Sequence, residues 1–213
     1  MEIRGPFDSL APMRRSLAIG ILSALIATVF AVAGPAVAAE KKPRVTVIGD
    51  SVQASFSYVP RAVRRLGQGL DLRMDARVCR RLISASCSYN GSTPQTAMQI
   101  IKSRGDALGS VVVLHVGYNE GSSGYDVNAV MRALRAAGVD HVVWVTLREE
   151  RSVYTSINGS IRQADRRWKA LTVADWNAVS AGKPWFGSDG LHLNSSGAYA
   201  LSGLIRQKVL AAI

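Results

Sequence analysis

Five short apolar runs recur along this chain, separated by stretches of helical period, and that alternation restricts its fold more than any other feature. The runs are Val45, Val47 and Ile48 before Gly49, the alternating Asp71–Val78, then Val111–Val116, His141–Leu147 and Leu171–Asp175. Between them, helices are expected from Ser51 to about Arg65 and over Gln95–Ser103, Tyr125–Ala137 and Ile157–Trp168, with a last one at Ser195–Ile213. Pro94 is expected to open the second helix, where its missing N–H costs nothing. Arg148–Thr155 reads as a polar connection and Trp176–Asn194 as irregular chain. Continuous apolar strands alternating with helices predict a parallel sheet covered on both faces, a three-layer α/β/α sandwich of five strands.

At 213 residues and 48% apolar content the chain has enough for one cored domain. Its start reads differently. Arg14-Arg15 precede an apolar run from Leu17 to Ala33, then Gly34-Pro35 and the small-x-small Ala36-Val37-Ala38. This is the pattern of a secretory signal cut after Ala38, leaving residues 39–213 as the domain and a secreted or envelope-associated product. An uncleaved membrane anchor is the alternative, and Met13 competes with Met1 as the start. The net charge is +11, and about +10 once the signal's three arginines and two acids are removed. Such a charge draws the protein to an anionic cell envelope. No basic run alternates with aromatics, so no specific nucleic-acid partner is expected. A monomer working without a cofactor is expected.

Only Cys79 and Cys87 can cross-link, and export favours a disulfide over two free thiols. Closing that nine-residue loop is worth about 2.5 kcal/mol by loop entropy. The spacing suits no zinc site, so no metal is expected.

In an open α/β sheet, ligands sit beyond the carboxyl ends of the strands. Those ends carry Ser51 after the first strand, Cys79 after the second and Gly117-Tyr118-Asn119 after the third. Asp189-Gly-Leu-His192 arrives just before the last helix. Asp50 and Ser51 also suit a helix N-cap, and that is their plainer reading. His115 reads as a satisfied core residue, and His141 lies at the amino end of its strand. His192 alone falls in a loop on the carboxyl side, three residues after a carboxylate able to fix its tautomer. A hydroxyl, an imidazole with its carboxylate and an amide donor are the parts of acyl transfer. Tyr118, Trp185 and Phe186 read first as packing, though they would also suit an acyl or sugar pocket.

Gly49-Asp50-Ser51, Gly117-x-Asn119 and Asp189-x-x-His192, in that order, resemble the SGNH, or GDSL, hydrolase family over essentially the whole exported part. The resemblance implies a flavodoxin-like sheet, Ser51 as nucleophile, His192 as base and then acid, and Asp189 as its orienting partner. It implies an oxyanion hole made by the Ser51 N–H, the Cys79 N–H and the Asn119 side-chain amide. The family often has glycine where Cys79 stands, and Gly91 is the rival for that role. Glu120 stands where many family members have aspartate. Asp75–Arg80 resembles the secreted domains of peptidoglycan O-acetyltransferases, which leaves the direction of acyl transfer open. The expected activity is a serine esterase on short acyl or acetyl esters, small or on a glycan. The alternatives are an O-acyltransferase acting on envelope glycan and a catalytically silent envelope-binding module.

Overall fold

A computed structural model of the protein describes residues 42–121 and 124–213. The expected signal, residues 1–38, lies outside the described residues. Strands β1 (Arg44–Gly49), β2 (Asp71–Ala76), β3 (Val111–His115), β4 (His141–Val145) and β5 (Leu171–Ala174) form one sheet. Its order is β2-β1-β3-β4-β5, with every neighbouring pair parallel. The chain steps from β1 to one side and then returns to the other, so the switch in order lies between β1 and β3. A crevice is expected where those two strands end.

Helices α1 (Ser51–Ala54), α2 (Pro60–Gly67), α3 (Ala97–Arg104), α4 (Val127–Ala136), α5 (Ser152–Asp165), α6 (Trp176–Ser180) and α7 (Ser195–Leu210) flank the sheet. α2 pairs with α7, which also covers β3, β4 and β5, while α3, α4 and α5 pack in series. Val111, Val112, Val113 and Leu114 of β3 are wholly buried, each contributing about 2 kcal/mol by burial. Among the described residues, no helix is long and apolar enough to cross a membrane.

Several boundaries differ from expectation for local reasons. The first helix is broken: a 3-10 turn at Ser55–Tyr58 follows α1, and Pro60 holds Val59 at φ −130, ψ 73, outside the helical region. α3 opens at Thr96 rather than Pro94, because Thr96 and Gln99 form a reciprocal capping box. α5 begins at Ser152, five residues before Ile157, and its first turn buries Tyr154. α6 occupies part of the stretch expected to be irregular, capped by Asp175 accepting from the Ala178 N–H.

Candidate active site

β1 runs straight into α1 because Gly49 carries no side chain. A β-carbon there would sit 2.3 Å from Cβ of Gln53. Ser51 is the first residue of α1, so its N–H belongs to the first turn and has no partner within the helix. Asp50 caps that turn, with Oδ1 accepting the Val52 N–H at 3.1 Å. It also does something the sequence hides. Oδ2 accepts the N–H groups of Gly117 and Tyr118, both at 3.0 Å. One fully buried carboxylate therefore ties the Ser51 turn to the loop that carries Asn119.

Burial pushes the Asp50 carboxyl up to about 6, against the three N–H donors that favour its charge. Between the ordinary 3.8 and about 6, the folded chain keeps a proton that the unfolded chain has released. Stability from this group therefore falls as pH rises through that window, by about 3 kcal/mol. Buried His115, pushed down to about 3, acts in the opposite sense up to its ordinary 6.5. Comparing wild type with Asp50→Asn by urea unfolding isolates the Asp50 contribution. The wild-type advantage should shrink by about 3 kcal/mol on going from acid to neutral pH. A gap independent of pH contradicts it.

The candidate acid–base pair, Asp189 and His192, lies in the loop between α6 and α7. Asp189 Oδ2 stands 2.6 Å from His192 Nδ1. Its Oδ1 accepts the N–H groups of Leu191 at 2.9 Å and His192 at 3.0 Å. Gly190, at φ +68, makes the turn between them possible. The His192 hydrogen bond, with the Leu191 N–H second, holds the Asp189 carboxyl down at about 2, so it is an anion at neutral pH. With Nδ1 engaged, Nε2 is the open ring nitrogen. Asn194 fixes the loop to α7: its Oδ1 caps the helix through Ser196 and Gly197, and its Nδ2 donates to Pro184 O at 2.9 Å. Arg148 braces it from outside, donating to Gly190 O at 2.6 Å while its guanidinium lies 3.9 Å from the Phe186 ring centre.

Beyond β2, an N–H bond from Arg80 to Arg77 O closes a turn whose third residue, Cys79, has φ +69. That turn position requires positive φ and favours glycine. Here a cysteine occupies it, disulfide-bonded to Cys87 as expected. Gly91, at φ +73, follows Asn90 at φ +48 in the tight turn between Tyr89 and Ser92. This is the Asn-Gly pattern of a two-residue hairpin, which accounts for that glycine locally.

Asn119 Nδ2 donates to Arg80 O at 3.2 Å, and Arg81 Nε donates to Asn119 O at 2.7 Å. Glu120 accepts the Leu82 N–H, and burial raises its carboxyl. Arg80, its side chain 3% exposed, pairs with Asp75 at 2.7 Å and donates to Gly49 O at 3.2 Å and Gln95 O at 3.0 Å. Buried polar ties thus hold the ends of β1, β2 and β3 together.

A cleft of about 700 Å³ opens over these loops, and Ser51, Asn119 and His192 all line it. Cys79 is not on its wall, but its neighbour Val78 is. No hydrogen bond joins the Ser51 hydroxyl to the His192 ring, a contact that in serine enzymes tightens as the reacting complex forms. His115 departs from expectation. Its Nδ1 meets Gln53 Oε1 at 3.1 Å, but its buried Nε2 has no partner among the described residues. His141 is exposed at the start of β4. Tyr118, Trp185 and Phe186 pack rather than line the cleft: Tyr118 meets Tyr154 edge-on at 5.2 Å, and Trp185 and Phe186 lie against Trp176. Among the described residues no group of three or more histidines, cysteines and acids could hold a metal.

No protein-family model matches the sequence. It is 26% identical over 166 residues to the O-acetyltransferase OatA of Staphylococcus aureus, an alignment covering 78% of this chain and 25% of that protein. The chain thus spans about a quarter of the length of the curated relatives it matches. The psychrotrophic esterase EstA from Pseudoalteromonas sp. superposes with a TM-score of 0.54 at 15% identity, over 79% of this chain and 97% of that one. The periplasmic domain of a lipopolysaccharide acetyltransferase from Salmonella ser. Paratyphi A gives 0.54 at 11% identity, over 80% and 84%. The sheet order and these superpositions make the fold the one expected from the sequence resemblance.

Proposed function

We propose that this chain, which has the fold of the SGNH hydrolases, is an exported serine enzyme that transfers acyl groups out of esters. The observation that carries the reading is the Asp189–His192 pair, whose histidine lines the same cleft as Ser51 and Asn119. Ser51 Oγ attacks the ester carbonyl as its proton passes to His192 Nε2. Asp189 holds Nδ1–H and stabilises the imidazolium. Negative charge on the carbonyl oxygen is met by the N–H groups of Ser51 and Cys79 and by Asn119 Nδ2. Val78 beside Cys79 lines the cleft, and the Tyr89–Ser92 hairpin accounts for Gly91 locally, which supports Cys79 over Gly91 as the second backbone donor. Collapse expels the alcohol, which takes the His192 proton, and leaves Ser51 acylated. His192 then takes a proton from the acceptor hydroxyl as its oxygen bonds to the acyl carbon, and returns that proton to Ser51 Oγ as the acyl–serine bond breaks.

With water as that acceptor the enzyme is an esterase for short acyl or acetyl esters, including acetylated glycans. The similarity to an O-acetyltransferase over 78% of the chain favours a second reading, in which a glycan hydroxyl accepts the acyl group. Turnover of a chromogenic acetyl ester, with and without a glycan acceptor, separates the two. Hydrolysis unaffected by acceptor supports the esterase; acylated glycan, detected by mass, supports transfer. Absence of both favours the silent envelope-binding module. Asn119→Ala should lower kcat about a hundredfold with little change in KM, as for a lost oxyanion donor. A wild-type rate removes Asn119 from the site.

A further inference from the structure

Beside the catalytic cleft lies a larger open groove, about 970 Å³, between α2, the β2 edge and α7. Arg61, Arg64 and Arg65 line it above an apolar floor that includes Leu72 and Met74. Arg61 and Arg65 are held in place without being neutralised, while Arg64 stands free of side-chain partners among the described residues. Arg61 Nη2 donates to Ser195 O at 3.2 Å and Arg65 Nη1 to Tyr199 O at 3.0 Å. Both guanidiniums lie over the Tyr199 ring, 5.1 and 4.3 Å from its centre. Gly203 makes room for Arg65: a β-carbon there would stand 2.5 Å from its Nη2. No ion pair among the described residues involves Arg61, Arg64 or Arg65. The carboxylate that lines the groove, Asp71, is engaged by Arg44 at 2.8 Å and Arg73 at 3.1 Å.

The groove and the cleft adjoin at one place. Arg61 holds the carbonyl of Ser195, and Ser195 lines the cleft. At the cleft itself stand two solvent-facing aromatic rings, Tyr58 at 87% exposure and Tyr89 at 54%. Rings left in water beside a reactive site offer flat apolar faces to the C–H face of a sugar, while fixed guanidiniums one groove away offer charge to an anionic group. We infer that the cleft and the groove form one track for an acidic glycan, its sugar rings against Tyr58 and Tyr89 and its anionic groups on Arg61, Arg64 and Arg65. This rests on the acyl-ester reading above and names the class of substrate: a polymer bearing carboxylate, sulfate or phosphodiester groups rather than a small neutral ester.

The probes are fluorescent dextran sulfate, neutral dextran of the same length and a single-stranded oligonucleotide, each titrated at two salt concentrations. Arg64→Glu tests the track, since Arg64 is exposed and makes no side-chain hydrogen bond or ion pair among the described residues. Arg166→Glu, exposed on the segment after α5, makes the same change in net charge away from the groove. The track predicts dextran sulfate binding that weakens at least about fivefold more in Arg64→Glu than in Arg166→Glu, and no binding of neutral dextran. It also predicts that Tyr58→Ser weakens dextran sulfate binding, which net charge alone would leave untouched. Equal weakening by the two glutamates overturns the track, leaving only net charge. Tighter binding of the oligonucleotide overturns the glycan as occupant. Labelling of Ser51 by a small phosphonate, measured on the same proteins, reports the reactive centre separately. Labelling without selective binding defeats the track alone, and selective binding without labelling defeats the acyl-transfer reading.

Discussion

Ser51→Ala should abolish turnover of a chromogenic acetyl ester, lowering kcat by about 10⁴-fold or more, while the far-UV spectrum and melting temperature stay near wild type. The hydroxyl is half-buried at a cleft wall and makes no hydrogen bond to another described residue, so its removal leaves no buried partner unsatisfied. Its neighbours carry the structural work: Asp50 caps α1, and Gly49 permits the turn. A loss of rate together with a loss of fold would mean that Ser51 is structural. A loss of rate alone is what a nucleophile gives. His192→Ala should fall by a comparable factor, because the members of such a set act as a unit.

The largest effect on stability is expected at Arg80. Its buried guanidinium reaches Asp75, Gly49 O and Gln95 O, joining the end of β1 to the end of β2 and to the segment before α3. Arg80→Leu leaves Asp75, its side chain 13% exposed, with Arg104 as its ion-pair partner, and removes the guanidinium from Gln95 O and from Gly49 O, which keeps the Arg77 N–H. Breaking such a pair from one side costs about 3 kcal/mol. That corresponds to a fall of roughly 6–12 °C in Tm for a domain of this size. Activity should fall as well, because the Arg80 carbonyl accepts from Asn119 and its N–H follows directly on Cys79. Differential scanning calorimetry checks the first, and the acetyl-ester rate well below the variant's Tm checks the second. An unchanged Tm contradicts the role given to this ion pair.

The strands were legible because β3 and its neighbours are buried on both faces and so carry uninterrupted apolar runs. What was harder to read sits where polar residues do structural work. Ser152–Thr155 shows little apolar spacing, yet Tyr154, buried, and Val153, half-buried against the core, are enough to start α5 there. The Pro60 break and the Asp175 cap are local signals, Pro60 through the restriction it places on Val59 and Asp175 through its capping side chain. The catalytic candidates could be listed by where strands end, since each is local to a turn: Gly49-Asp50-Ser51, Asn119 and Asp189-x-x-His192. The ties between those turns could not. Asp50 meets Gly117 and Tyr118 across 67 and 68 residues, and Glu120 meets Leu82 across 38. Only the fold brings them together. For Arg80 a signal did exist, an acid and an arginine five residues apart across the end of β2.

On the acyl-transfer reading proposed above, Ser51 is made reactive by the Asp189–His192 pair across the cleft. Peptide mass mapping after reaction with a fluorophosphonate tests it most directly, run on the wild type and on His192→Ala. A single adduct on Ser51 that forms readily in the wild type and is nearly absent in His192→Ala is the predicted result. No adduct, an adduct on another residue, or equal labelling of Ser51 in both proteins would contradict it.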